Sequence, residues 1–341
     1  MFKRIGVIIL FLIFIGGGVS IFWKRSSGLS FSNVSSSPIA TPFLFQEITI
    51  PYLRERKYES TLGKLEEYSQ TESYTSYLTS YSSDGLKING FLTKPKGGMV
   101  PGGFPAVVFV HGYIAPPLYE TAERYGDYVD YLARNGFVVF KIDLRGHGES
   151  EGEAGGAYYS ADYVVDTLNA YAALSGSGFV NQNKIGLWGH SMGGNVVFRS
   201  YVVKKDIPVV IWAGAGYTYE DLVTYRIVDN SYRAPESGTE RARLRKLLVD
   251  TYGSFSFDSP FWRQVVPTNF LEGVRGAIEV HHALDDQVVS SEYSRNLMRI
   301  LEETNIAHQL FEYQTGGHNI SGTAFGQAMS ETVKFFKNEF N

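Results

Sequence analysis

From about Thr79 onward, short runs rich in Val, Ile and Phe alternate with longer stretches of helical period. The runs are AVVFVHG (106–112), FVVFKIDL (137–144), KIGLWGHS (184–191), PVVIWAG (208–214), AIEVHHAL (277–284) and HQLFEYQ (308–314). They are apolar at odd and even positions alike, as a parallel strand covered on both faces must be. Between them, LYETAERYGDYVDYLARNG (118–136), NVVFRSYVV (195–203) and SSEYSRNLMRILEETN (290–305) read as helices, the last with an N-cap at Ser290 or Ser291. SYSSDGLKINGFLTKP (80–95), with alternating side chains around Asp84-Gly85, predicts the start of a hairpin. Strand-helix-strand alternation at this spacing predicts an α/β fold with a mostly parallel, doubly wound sheet. Ligands of such sheets sit at the carboxyl ends of the strands, so chemistry is sought in the residues that follow each strand.

Two stretches break the rhythm. Residues 217–274 separate two strands and contain a helical run, TERARLRKLLVDTYG, which predicts a helical lid inserted over the carboxyl edge. Its Arg241, Arg243, Arg245 and Lys246 offer contacts to an anionic substrate, although a solvated helix face accounts for them more simply. At the front, Lys3 and Arg4 precede IGVIILFLIFIGGGVSIFW, whose only polar side chain is Ser20, and Lys24 and Arg25 follow. About 20 apolar residues are what a helix needs to cross a bilayer. Residues 1–25 are therefore expected to be a membrane anchor, with a cleaved signal peptide and a secreted product as the alternative. The default orientation leaves the body outside the cytoplasm. Residues 26–42 follow as a linker; SSGLSFSNVSSS (26–37) holds seven serines and no charge, the composition of a flexible tether. The folded domain is expected over 43–341, with 43–78 as an N-terminal extension.

Composition narrows the chemistry. The 341 residues are 44% hydrophobic and 19% charged, a globular balance, and a net charge of −4 without long basic runs gives no reason to expect nucleic acid. There is no cysteine, which excludes disulfides, thiolate metal sites and a cysteine nucleophile. No cofactor or metal is expected. His281 and His282 are adjacent, so in a strand they face opposite sides and cannot share a metal.

Gly-x-Ser-x-Gly, the mark of a hydrolase nucleophile, occurs twice, as GESEG (148–152) and GHSMG (189–193). Context separates them. Ser191 stands where the strand IGLW turns into the helix NVVFRSYVV, with glycines leaving room for the abrupt turn. That helix start would aim backbone N–H groups at a developing oxyanion. Ser150 lies six residues past its strand, between two glutamates and with no helix after it, so it reads as a turn residue. A serine hydroxyl needs a base and an orienting carboxylate. Later strand ends supply both: Asp285 or Asp286 in HHALDDQVV, then His318 in YQTGGHNIS. The expected oxyanion donors are the backbone N–H groups of Met192, next after the nucleophile, and Tyr113, in the loop VHGYIAPP.

These residues resemble the catalytic domain of the prolyl oligopeptidase family of α/β-hydrolases. GLWGHSMGG (186–194) with its lead-in FVNQNKIG is similar to that family's nucleophile region, and DLRGHGES (143–150) resembles a loop common to many α/β-hydrolases. His281-x-x-x-Asp285-x-x-Val288 resembles the family's acid loop, which selects Asp285 over Asp286, and Gly317-His318 matches its base. Over roughly 75–340 the resemblance implies an α/β-hydrolase fold and a serine hydrolase with Ser191, Asp285 and His318 as its triad. A peptidase of the prolyl oligopeptidase kind or a carboxylesterase is implied, acting on a peptide or small acyl ester. A catalytically silent binding module is the alternative of another class. Residues 43–78 are too few for the propeller domain of several family members.

Overall fold

The computed structural model describes residues 43–98, 101–225, 227–234 and 236–341. The expected anchor and tether lie outside these residues. Among the described residues no helix is long and apolar enough to cross a membrane.

In chain order the elements are α1 (Ile50–Glu55), β1 (Glu66–Gln70), β2 (Tyr74–Ser83), β3 (Leu86–Pro95), β4 (Phe104–Val110), α2 (Gly126–Arg134), β5 (Val138–Ile142), α3 (Asp162–Ser175), β6 (Val180–His190) and α4 (Met192–Lys204). There follow β7 (Val209–Trp212), α5 (Tyr219–Thr224), α6 (Glu240–Tyr252), α7 (Pro260–Val265), β8 (Ile278–Ala283), α8 (Glu292–Leu301), β9 (His308–Tyr313) and α9 (Thr323–Glu339). The nine strands form one sheet in the order β1-β2-β3-β5-β4-β6-β7-β8-β9. Strands β4 to β9 run parallel and β1 to β3 antiparallel. This is the α/β-hydrolase architecture: a mostly parallel sheet wound on both faces.

The continuous apolar strands explain the layering. Val108, Leu187 and Ile211 point to the face covered by α3, α4 and α8, while Val107, Phe109, Trp188 and Trp212 point to the face covered by α2 and α9. Phe109 stacks on Trp188 at 4.0 Å between centroids. Each such fully buried large side chain contributes about 1.5–3 kcal/mol of transfer free energy. The β2–β3 hairpin turns at Asp84 (φ 54°) and Gly85 (φ 80°), the paired positive angles that match strand twist. At the open margin, all five residues of β1 are exposed and its register slips between Glu67 and Ser69.

One expected helix is shorter than its pattern. Residues 119–125 do not join α2, because their groups are committed elsewhere: Tyr119 and Thr121 hydroxyls donate to Asp143 at 3.0 and 2.6 Å, and Lys141 Nζ donates to the Thr121 carbonyl. Tyr125, at φ 62°, then breaks any helical run before Gly126. The insertion between β7 and β8 carries α5, α6 and α7, as expected of a lid. The four basic residues of α6 are engaged by the protein itself. Arg241 pairs with Asp162 at 2.6 Å, Arg243 with Glu240 and Lys246 with Asp250, and Arg245 lies 4.2 Å over the Tyr159 ring.

Candidate active site

Ser191 is the residue between β6 and α4, at φ 55° and ψ −119°, a conformation that side-chain-bearing residues rarely adopt. The surrounding structure fixes it there. Its N–H donates to the Trp212 carbonyl at 2.8 Å and its carbonyl accepts from the Gly194 N–H at 2.9 Å. A side chain at Gly189 would run into the Gly193 carbonyl, and one at Gly193 into the carbonyls of Val110 and His111. Small residues are thus required for β6, α4 and β4 to meet at this turn. Ser150 has a different duty: its hydroxyl accepts from the Asn89 N–H at 2.9 Å and pins a loop to β3.

His318 sits in the loop between β9 and α9, and the ring is partly exposed. Its Nδ1 is 2.8 Å from Asp286 Oδ2. The expected pairing with Asp285 is not the one formed. Asp285 is exposed and instead accepts the Gly317 N–H at 2.8 Å. The turn after β8 decides this, because the Asp286 side chain is fully buried and its Oδ1 accepts from the N–H groups of Val288 and Val289 at 2.8 and 3.0 Å. His282 Nε2, 3.3 Å from Asp286 Oδ2 and 3.0 Å from the Val289 carbonyl, closes the far side, and His282 Nδ1 accepts from the Ser294 hydroxyl at 2.7 Å. Burial alone would push the Asp286 carboxyl up. The hydrogen bonds from His282 and His318, the nearby His318 charge and the Val289 N–H outweigh it and hold Asp286 well below the usual carboxylate range. An ionised acceptor on Nδ1–H leaves His318 Nε2 as the nitrogen free to take a proton.

His281, on the opposite face of β8, belongs to a separate buried network with Glu279 and Tyr313, each 2.8 Å away. The two histidines therefore part as the strand alternation requires. Among the described residues no cluster of three His, Asp or Glu side chains could hold a metal.

The expected oxyanion donors come from two separate segments, the start of α4 and the loop after β4. Met192 opens α4, where the first N–H groups have no partner within the helix. In the loop after β4 the choice narrows. The Gly112 N–H is spent on the Tyr125 hydroxyl at 2.9 Å, which leaves the N–H of Tyr113 as the next donor. The Tyr113 hydroxyl accepts from the Arg233 N–H at 3.0 Å, and its ring lies 5.3 Å from that of Tyr232. The same lid segment pairs Ile227 with Val289, and its Val228 N–H donates to the Val288 carbonyl at 2.8 Å. Residues 227–233 thus form a strap between the acid loop and the oxyanion loop.

Two groups were not foreseen from the sequence: Tyr125 and His190. The last fills the variable position of Gly-x-Ser-x-Gly, a place that carries no signal. Its Nδ1 meets the Tyr125 hydroxyl at 2.7 Å and its Nε2 the His318 carbonyl at 2.8 Å.

Known proteins bear on this arrangement. Residues 168–339, half of the chain, match the family described as BAAT / Acyl-CoA thioester hydrolase C terminal, and residues 104–229 match Serine aminopeptidase, S33. A curated relative from Escherichia coli, the "Uncharacterized 31.7 kDa protein in traX-finO intergenic region", is 25% identical over 112 residues, 31% of this chain. The chain spans 36% of that relative's length. Among solved structures, acetyl xylan esterase 1 from Thermoanaerobacterium sp. JW/SL YS485 is similar with a TM-score of 0.56 at 19% identity, covering 86% of this chain and 91% of that one. The acylaminoacyl peptidase of Pyrococcus horikoshii has a TM-score of 0.61 at 17% identity, covering 79% of this chain and 42% of that one. By its sheet and by a family match over half its length, the chain belongs to the BAAT / acyl-CoA thioester hydrolase C-terminal family of α/β-hydrolases.

Proposed function

We propose that this enzyme hydrolyses a carboxylic ester through an acyl-enzyme formed on Ser191. In this reading His318 Nε2 takes the Ser191 hydroxyl proton as Oγ attacks the acyl carbon. Asp286 orients the ring through Nδ1 and stabilises the imidazolium. The N–H groups of Met192 and Tyr113 receive the oxyanion. His318 then returns the proton to the leaving alcohol, and a water, deprotonated by the same ring, releases the acid.

The observation that carries the reading is the buried, ionised Asp286 hydrogen-bonded to His318, whose loop is itself bonded to the residue before a strained Ser191. An ester substrate is favoured over a peptide by length. The esterase above is matched over nearly all its chain, whereas the peptidase is matched over less than half. Peptidase action is the second reading, supported by the match to Serine aminopeptidase, S33.

A fluorophosphonate probe tests the chemistry. Wild type is expected to label, Ser150→Ala to label equally, and Ser191→Ala not at all. A wild type that stays unlabelled would favour a silent binding module. Rates on acyl esters compared with aminoacyl amides then decide between esterase and peptidase.

A further inference from the structure

A chain of hydrogen bonds runs through His190, the residue before Ser191, and joins the loop after β4 to the loop after β9. The Gly112 N–H donates to the Tyr125 oxygen at 2.9 Å; the Tyr125 hydroxyl lies 2.7 Å from His190 Nδ1; and His190 Nε2 lies 2.8 Å from the His318 carbonyl. Only one set of proton positions satisfies all three. A carbonyl can only accept, so Nε2 carries the hydrogen, and Nδ1 of a neutral ring then accepts from the Tyr125 hydroxyl. Burial first, and then the nearby His318, bring the His190 pKa down to about 3, so its ring stays neutral in ordinary buffers. The chain therefore has a fixed direction and no alternative state.

We infer that Tyr125 and His190 are positioning residues of the hydrolytic reaction, a tie that fixes the oxyanion loop and the His318 loop at one separation across Ser191. This inference rests on the proposed roles of Ser191, His318 and Tyr113. Both ends of the tie grip backbone, and each gripped residue is, or adjoins, a group with a role in that mechanism. One end occupies Gly112, whose neighbour Tyr113 is left as the oxyanion donor. The other holds His318 itself by its carbonyl, while Asp286 holds the same residue by its ring.

The fit is close. A Cβ at Gly112 would stand 2.8 Å from the Tyr125 oxygen and 3.0 Å from His190 Nδ1, so the tie admits only glycine there. The His190 and His318 rings lie 4.7 Å apart between centroids, which leaves the base little freedom to withdraw. A displacement of about 1 Å in a reacting group costs on the order of 100-fold in rate, so such a tie acts on kcat more than on affinity.

The test uses steady-state hydrolysis of a p-nitrophenyl acyl ester, the fluorophosphonate labelling rate and thermal unfolding, on the same preparations. Tyr125→Phe removes one oxygen and is the variant least disturbing to the fold. It is expected to lower kcat and the labelling rate about 10- to 100-fold with KM within about threefold and little change in Tm. His190→Ala is expected to lose at least as much. His190→Gln, which keeps an amide donor toward the His318 carbonyl, should recover part of that loss. Tyr125→Phe combined with His190→Ala should be no worse than His190→Ala alone, since the two act as one unit. The inference is overturned if Tyr125→Phe keeps wild-type kcat and labelling, or if its rate falls only in step with Tm. A wild type that does not label at Ser191 would instead remove the underlying mechanism, an outcome readily told apart from a labelled wild type with equally labelled variants.

Discussion

Asp286 owes its character to four donors gathered around one buried carboxylate: two backbone N–H groups on Oδ1 and two imidazoles on Oδ2. Asp286→Asn is expected to lower kcat about 10⁴-fold, because an amide cannot hold the imidazole in the same tautomer and balance its charge. Asp285→Asn, which touches only the Gly317 N–H, should cost less than about tenfold; equal losses in single-turnover assays would refute the assignment. The depressed carboxyl also stabilises the fold. That contribution is complete above the ordinary carboxylate value of about 3.9 and fades as pH falls through the lower folded value, so the variant's deficit in Tm should be visible at pH 6 and shrink in strong acid. Context within the sequence selected Ser191 over Ser150, and chain order selected His318, but every landmark of the acid loop is doubled: His281-His282, Asp285-Asp286, Val288-Val289. Two registers one residue apart fit the spacing equally well. Only the facing of β8 separates them, and it turns His282, not His281, toward the acid.

Among the elements, the lid insertion holds a carboxylate under tension. Asp221 in α5 is buried, its Oδ1 accepts from Asn296 at 2.7 Å, and its Oδ2 finds no partner among the described residues. Burial raises its pKa to about 6, against the pull of the Thr218 and Asn296 hydrogen bonds. Here the sign is reversed: the cost of burying the group begins as pH rises past the ordinary carboxylate value of about 3.9 and is complete above about pH 6. Asp221→Asn should therefore raise Tm by about 2 °C or more at pH 8 and give no gain at pH 4, as read by calorimetry. A gain independent of pH would mean packing rather than charge is responsible. The parallel strands were legible because their apolar residues fall at odd and even positions alike. α3 was not, since ten of its fourteen residues are buried, Asp166, Thr167 and Asn169 among them, so polarity does not mark its outer face. α2 was overread for the opposite reason: its upstream residues have helical character but are bound to Asp143 and Lys141.

The whole molecule is gathered at Arg145. Its guanidinium meets Asp166 at 2.7 Å and Asp162 at 3.2 Å on α3, and Asp84 at the hairpin turn at 3.7 Å, while Asp162 also takes Arg241 from the lid. Asp166 is fully buried, so Arg145→Met would strand it without a counter-charge. A loss of about 3–5 kcal/mol in unfolding free energy is expected from urea titration, and a loss under about 1 kcal/mol would show that the hub is dispensable. No spacing rule links residues 84, 145, 162 and 241, so this junction could not be read before the fold was known. The opposite margin carries a quieter consequence. A sheet that ends in Glu66 and Glu67, kinked where its register slips, presents a second copy with like charges and a bent rim where backbone pairing would have to begin. Molecules crowded side by side are thereby discouraged from zipping into a shared ribbon along this edge.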